Sequence, residues 1–152
     1  MKKFILFTTI LIIGILSIII YINSKTIDTK YATKYAQVFG SYDIENVDKY
    51  LNSETLITYN GITDTYGNLR NNVIKAFEMK EYKMTEGYSY GHGDDIFING
   101  IQNIGIQSYV DSDKYSSNFV SMDIERRWFI FYRVKTMSSN DDFFAYLFFG
   151  ME

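Results

Sequence analysis

Two carboxylates sit in stretches that alternate like β-strands, and either could act as a general base. Glu86 belongs to the series Tyr82, Met84, Glu86, Tyr88 and Tyr90, which alternates with Glu81, Lys83, Thr85, Gly87 and Ser89. A strand's period of two places Glu86 on one face with aromatic and apolar side chains. A carboxylate held among rings loses hydration, and its pKa rises toward the neutral range where a general base works. Tyr59 or Tyr88 would serve as the hydrogen-bond donor. Gly87 opens a second reading, a bulge that flips the phase and turns Glu86 to solvent. Asp123 shares a face with Phe119 and Ser121, opposite Val120, Met122 and Ile124. It is a second pocket carboxylate or the solvent side of a half-exposed strand.

Other candidates dissolve into turn chemistry. His92 is the single histidine, between Gly91 and Gly93 and followed by Asp94 and Asp95; a hairpin tip explains this composition without a metal. Asp111-Ser112-Asp113 starts like a calcium loop, but Tyr115 stands where the next oxygen ligand belongs and Ser116 where glycine is needed. Glu125-Arg126-Arg127 could receive an acidic partner, although neighbouring strand residues point to opposite faces. There is no Gly-rich phosphate loop, nucleophile elbow, HExxH or CxxC. No cofactor and no metal are expected.

Composition narrows the partners. Removing Lys2 and Lys3 from 15 basic residues leaves 13 against 18 acidic ones, a net charge of −5 for the rest of the chain. Nucleic acid, which needs a basic footprint, is excluded as a partner. With no cysteine there is no disulfide framework, so stability must come from a core built on 12 Phe, 14 Tyr and one Trp.

The elements that position these residues begin with an uncharged apolar run, Phe4 to Ile22, behind Lys2 and Lys3. As a helix it rises about 28 Å, close to the ~30 Å hydrocarbon core, and the lysines hold its start in the cytoplasm. The sequence predicts residues 1–24 as a cytoplasmic stub and transmembrane signal anchor, and 25–152 as one extracytoplasmic domain at the cell membrane. The alternative is a cleaved signal ending at Ile22-Asn23-Ser24, but the run is long for a signal and lacks a small-x-small boundary.

After a polar spacer, Asn23 to Thr29, the residues Tyr31, Tyr35, Val38 and Phe39 recur at helical spacing, with Asp28 or Thr29 as cap and Gly40 as stop. A second helix carries Ile44, Val47, Tyr50 and Leu51 behind Ser41 or Asp43. Thr55 to Tyr59 reads as a strand, and Tyr66, Leu69, Val73, Ala76 and Phe77 form a third helix behind Asp64 or Thr65. Beyond Met79 the period becomes two. Strands follow up to Ser89–Tyr90, from Ile96, over Ile101–Val110, Phe119–Ile124 and Trp128–Thr136. The turns between them fall at Gly91–Asp95, Asn99-Gly100, Asp111–Ser117 and Ser138–Asp142. Phe143 to Phe149 reads as a last strand, either central in the sheet or an edge that docks a partner.

Helices first and antiparallel strands after is an α+β pattern, with helices packed on a curved, mainly antiparallel sheet. The order of elements from Tyr31-Ala32-Thr33-Lys34-Tyr35-Ala36, through Leu56 to Gly61 and Tyr66 to Arg70, to Trp128-Phe129-Ile130 resembles the nuclear-transport-factor-two-like superfamily, the cystatin-like cone fold. The resemblance implies a cone whose interior can hold a ligand. It also implies that enzymes resembling ketosteroid isomerase or polyketide cyclases would keep an Asp or His there.

Two functions follow. The first is a non-catalytic binding or assembly domain on a single-pass anchor, with a protein partner or self-association. Its layout resembles the cone-fold subunits of secretion and conjugation systems, although its cytoplasmic tail is shorter. The second is an acid/base enzyme, isomerase- or cyclase-like, with Glu86 or Asp123 as base and Tyr59 or Tyr88 as donor.

Overall fold

The helical period of Tyr31, Tyr35, Val38 and Phe39 does not start a new helix; it continues the apolar one. The computed structural model of the chain describes residues 2–92, 99–128 and 131–151. In it α1 runs unbroken over Lys2–Gly40. The expected spacer from Asn23 to Thr29 is therefore helical, and neither Asp28 nor Thr29 caps a helix start. Nothing between Ile22 and Tyr31 is a proline or a glycine, so propagation, which adds one hydrogen bond per residue fixed, has no reason to stop. Asp28 is instead buried with Ile27 against the rest of the molecule.

The following elements are α2 (Ile44–Tyr50), β1 (Leu56–Tyr59), β2 (Ile62–Thr65), α3 (Tyr66–Met79), β3 (Lys83–His92), β4 (Ile101–Asp111), β5 (Ser117–Arg126), β6 (Tyr132–Ser139) and α4 (Asp142–Phe149). Asp43 caps α2 by accepting from the Glu45 N–H at 2.9 Å. Asn60 and Gly61 both take positive φ (47° and 83°), which makes β1 and β2 a tight hairpin; β2 was not expected. The strands form one sheet in the order β2-β1-β6-β5-β4-β3. All pairs are antiparallel except β1 with β6. This is the α+β cone arrangement.

One face of the sheet is covered by α1, α3 and α4. It carries Ile57, Met84, Ile104, Ile106, Val110, Val120, Met122, Ile124, Val134 and Met137, all buried. Helix α1 lies close on β3 through Ala32, Ala36 and Gly40, spaced by four and so aligned along one side of the helix. A Cβ on Gly87 would stand 2.3 Å from the Ala32 carbonyl oxygen, and one on Gly40 would stand 2.6 Å from that of Met84. Gly40 ends the helix as expected, but its role is this contact. The left-handed residue beyond it is Tyr42, at φ 52°.

The last element corrects the sequence reading: Phe143 to Phe149 is a helix, not a strand. Asp141 is its N-cap, accepting from the Phe143 N–H at 2.9 Å, and Gly150 closes it in the left-handed conformation at φ 63°. A short run that is apolar on all sides has no period to separate strand from helix. Phe143, Phe144, Ala145, Tyr146, Leu147 and Phe148 are all buried, and a helix hydrophobic all round belongs in a core. Phe148 meets Phe39 edge-on at 5.5 Å, and Phe143 meets Tyr82 at 4.8 Å. The Asn72 side chain donates to the Phe148 carbonyl at 2.8 Å, which locks α4 to α3.

Two substitutions test this packing in urea titrations of the full chain in detergent. Phe148→Ala should cost about 3–5 kcal/mol, the usual range for an emptied aromatic core site. Gly87→Ala should cost about 1–3 kcal/mol by driving α1 off β3. Wild-type midpoints for both variants would refute the packing described.

Candidate functional site

The register of β3 on β4 decides where Glu86 points. Met84 stands opposite Val110 and Gly87 opposite Ser108, so β3 spends one more residue than β4 between these pairs. The bulge reverses the alternation. Tyr82 and Met84 are buried, whereas Glu86, Tyr88 and Tyr90 are exposed on the opposite face of the sheet. The expectation that all five share an inner face is thus corrected in favour of the bulge at Gly87. Two inputs produce the shift. Gly87 must face α1 because the helix leaves no room there for a side chain, and the strand gains the residue needed to achieve this.

Of the residues proposed for acid/base work, Glu86 and Tyr88 are brought together on the open face, whereas Asp123 and Tyr59 stand apart from them. Tyr88 donates to the Glu86 carboxylate, and that carboxylate holds its phenol proton more firmly. Asp123 lies on the same open face but two strands away. It accepts from the Asn103 amide and the Thr136 hydroxyl, each at 2.7 Å. Tyr59 is on β1, donates to Asp142 at 3.3 Å and packs on Phe149. Three strands separate β1 from β3, roughly 19 Å at ~4.8 Å per strand. The open face instead presents aromatic pairs, Tyr88 with Tyr109 at 6.2 Å and Tyr90 with Phe119 at 6.1 Å. Its polar ladder joins Asn103, Ser121, Asp123 and Thr136.

Between the sheet and the helices, α4 and its neighbours supply the bulk of the core. Tyr35, Phe39, Tyr66, Phe143, Phe144 and Phe148 are among the largest fully buried side chains. The buried polar side chains include the carboxylate Asp28 and the uncharged Thr55, Gln102, Ser108 and Asn118. Asn118 donates to the Tyr35 hydroxyl at 2.6 Å, and burial pushes the Tyr35 phenol far up. Ser108, opposite Asn118 in the sheet, is fully buried, and its hydroxyl has no partner.

Beside α4 a cleft of about 510 Å³ opens between the start of β3 and the β4–β5 connection. Its walls are tyrosine: Tyr115 lies 5.7 Å and Tyr82 6.5 Å from Tyr146, ring centre to ring centre. Tyr146 is 7% exposed, and its hydroxyl makes no hydrogen bond. Burial first, then Glu81, raises its pKa. Glu81 and Asp113 stand at the mouth, and the Lys114 ammonium sits 5.5 Å above the Tyr115 ring. Sequence reasoning missed this cleft because its residues come from α3, the β4–β5 loop and a helix read as a strand.

The remaining motifs resolve as follows. Ser112 shapes the Asp111–Asp113 loop by accepting from the Tyr115 N–H at 2.8 Å and donating to the Tyr115 carbonyl. No group of metal-ligating side chains occurs among the described residues. His92 is on β3 opposite Ile104 rather than in the turn, and the rest of that predicted turn, with the strand expected from Ile96, falls on 93–98, outside the described residues. Glu125 and Arg126 end β5, and Glu125 takes the guanidinium groups of Arg133 at 2.8 Å and Arg127 at 3.1 Å. The hydrogen bond from Arg133 lowers the Glu125 pKa most. Trp128 precedes β6 rather than starting it.

No family model matches the chain, and no curated protein matches it significantly. Solved structures do. A five-substitution variant named Rd1NTF2_05 aligns at TM-score 0.56 and 7% identity over 75% of this chain and 96% of its own. Rd1NTF2_04 with a long sheet aligns at 0.50 and 8% over 73% and 97%. A Shewanella frigidimarina protein presented as a candidate ketosteroid isomerase aligns at 0.50 and 12% over 69% and 87%. At these identities the likeness establishes the fold: the chain has the nuclear-transport-factor-two-like cone. It leaves the chemistry open, because function lives in sites and not in folds.

Asp141 gives the region beside α4 a measurable pH signature. Its burial outweighs the stabilising Phe143 N–H and raises the carboxyl pKa above the ordinary 3.8. A folded-state pKa raised above the unfolded one means the folded protein binds the extra proton, so stability should fall as pH rises from 3.8 through the raised value. Asp141→Asn keeps the cap acceptor and should abolish that fall in urea midpoints taken across the window. An unchanged pH slope in the variant would show that Asp141 is not the titrating group.

Proposed function

We propose that this protein is a single-pass, membrane-anchored binding or assembly domain, held outside the cytoplasm, with no catalytic centre. The observation that carries the reading is the filled cone: α4 occupies its interior with aromatic side chains, while Glu86 and Asp123 face the other way. A base needs a pocket that desolvates it and admits a substrate, and neither carboxylate has one. Recognition then falls to the outside of the domain, where the open sheet face offers Tyr88, Tyr90, Tyr109 and Phe119 to a protein partner or a second copy.

The anchor half of the reading rests on α1. Its window Ile5–Ile22 is long and apolar enough to cross a membrane, and none of it is buried in the protein. With Phe4 to Ile22 in the bilayer, the first buried residue of the cone, Ile27, follows five positions later. That is about 7.5 Å of helix. The domain sits directly on the membrane surface, as in the layout of cone-fold subunits of secretion and conjugation systems. The net negative charge of the domain keeps nucleic acid out of this account.

The test is photo-crosslinking in cells, with a photoreactive residue replacing Tyr109 or Phe119 on the open face, and Glu45 on α2 as control. A discrete adduct from the sheet positions and none from Glu45 is the expected result. Membrane-bound protein that forms no adduct from either sheet position overturns the binding reading. Protein released by alkaline carbonate overturns the anchor.

A further inference from the structure

The connection between β5 and β6 ends in two bare aromatic side chains. Trp128 is 72% exposed and Phe131 67% exposed. Large apolar groups displayed together in this way cost solubility unless they meet something. Their level along the molecule follows from hydrogen bonds between α1 and the sheet. The Tyr35 hydroxyl pairs with Asn118 on β5. One helical turn earlier, the Tyr31 carbonyl accepts from the Tyr50 hydroxyl, which also reaches the Met122 sulfur at 3.4 Å. Moving toward the start of α1 therefore means moving toward the end of β5. From Met122 to Arg126 is four strand residues, about 13 Å. From Tyr31 back to Ile22 is nine helical residues, about 14 Å. The end of β5 and the end of the apolar run lie at nearly the same height.

We propose that Trp128 and Phe131 are a second membrane contact, seated in the interfacial layer of the same bilayer that α1 crosses. This rests on the anchor reading above. That layer is about 6 Å deep on each side of the hydrocarbon core, enough to take up the offset between the two levels. Trp is enriched at this depth because its ring is apolar and its N–H meets the headgroups. The contact is apolar in character: the two rings are its most exposed groups, while Arg127 and Arg133 both pair with Glu125. One helix leaves a domain free to rotate about the bilayer normal and to tilt. A second contact two to three strands across the sheet from β3, and so off the axis of α1, fixes both, and with them the direction in which the open sheet face looks.

Trp128 is the chain's single tryptophan, so its fluorescence reports directly. Full-length protein is reconstituted into phosphatidylcholine vesicles with brominated acyl chains and recovered by flotation. Trp128 emission should move to shorter wavelength, be quenched by the brominated lipid and resist aqueous iodide. High salt should change none of this. Phe131→Ser should reduce the lipid quenching while the chain still floats. If the floated protein shows Trp128 open to iodide and untouched by brominated lipid, the second contact is overturned and the anchor stands. Protection from both quenchers overturns it as well, in favour of cover by protein. A chain that does not float overturns the contact and the anchor together.

Discussion

The approach of α1 to β3 is the constraint from which much of the structure follows. Ala32, Ala36 and Gly40 remove side-chain bulk along one line of the helix, and Gly87 removes it from the strand, so backbone meets backbone. Such closeness allows β3 little freedom of phase: the residue under Ala32 must be glycine, so Gly87 must face inward. Met84 must face inward too, because it fills the space beside Gly40. Two residues, Thr85 and Glu86, lie between these inward positions, and a strand of period two satisfies that only with a bulge. The outward placement of Glu86, Tyr88 and Tyr90 on the open face of the sheet is thus a consequence of helix packing.

Much of the fold could be read from the sequence where side chains alternate between core and solvent. Helices α2 and α3 and strands β1, β4 and β5 were expected close to where they occur, because each has one buried and one open face and so a visible period. What escaped has physical causes. Helix α4 is buried all round and shows no period; the signals that identify it are its ends, Asp141 as cap and Gly150 beyond the last turn. The continuity of α1 is hidden by the polarity of Asn23 to Thr29, although polar residues without proline or glycine leave a helix intact. Strand β2 escaped because Asn60-Gly61, a strong hairpin signal, lies between strands of four residues each. For the candidate site, the bulge at Gly87 was one of two readings open to the sequence. The tyrosine cleft, assembled from three distant segments, left no local trace.

In the anchor reading proposed above, the unbroken α1 joins two problems that are separate in most anchored proteins. A flexible spacer would let the cone search a hemisphere about its attachment point. A helix that is apolar up to Ile22 and part of a hydrophobic core from Ile27 would, once it crosses a bilayer, fix the distance between bilayer and domain, because each residue adds the same rise. Whatever surface the cone presents is then held at a set height, and a partner tethered in the same membrane meets it without paying much of the rotational and translational entropy of association. This gain requires orientation as well as height. A cylinder in a bilayer spins freely, and the −5 charge of the domain gives no electrostatic grip on anionic lipid. In the contact proposed above, the apolar groups at the end of β5 would remove this freedom, since they lie two strands from β3, on which α1 packs. The aromatic core, the unbroken α1 and the exposed aromatic pair at the end of β5 would together meet the demands of the one design proposed above, in which a domain acts by presenting a face in a fixed direction.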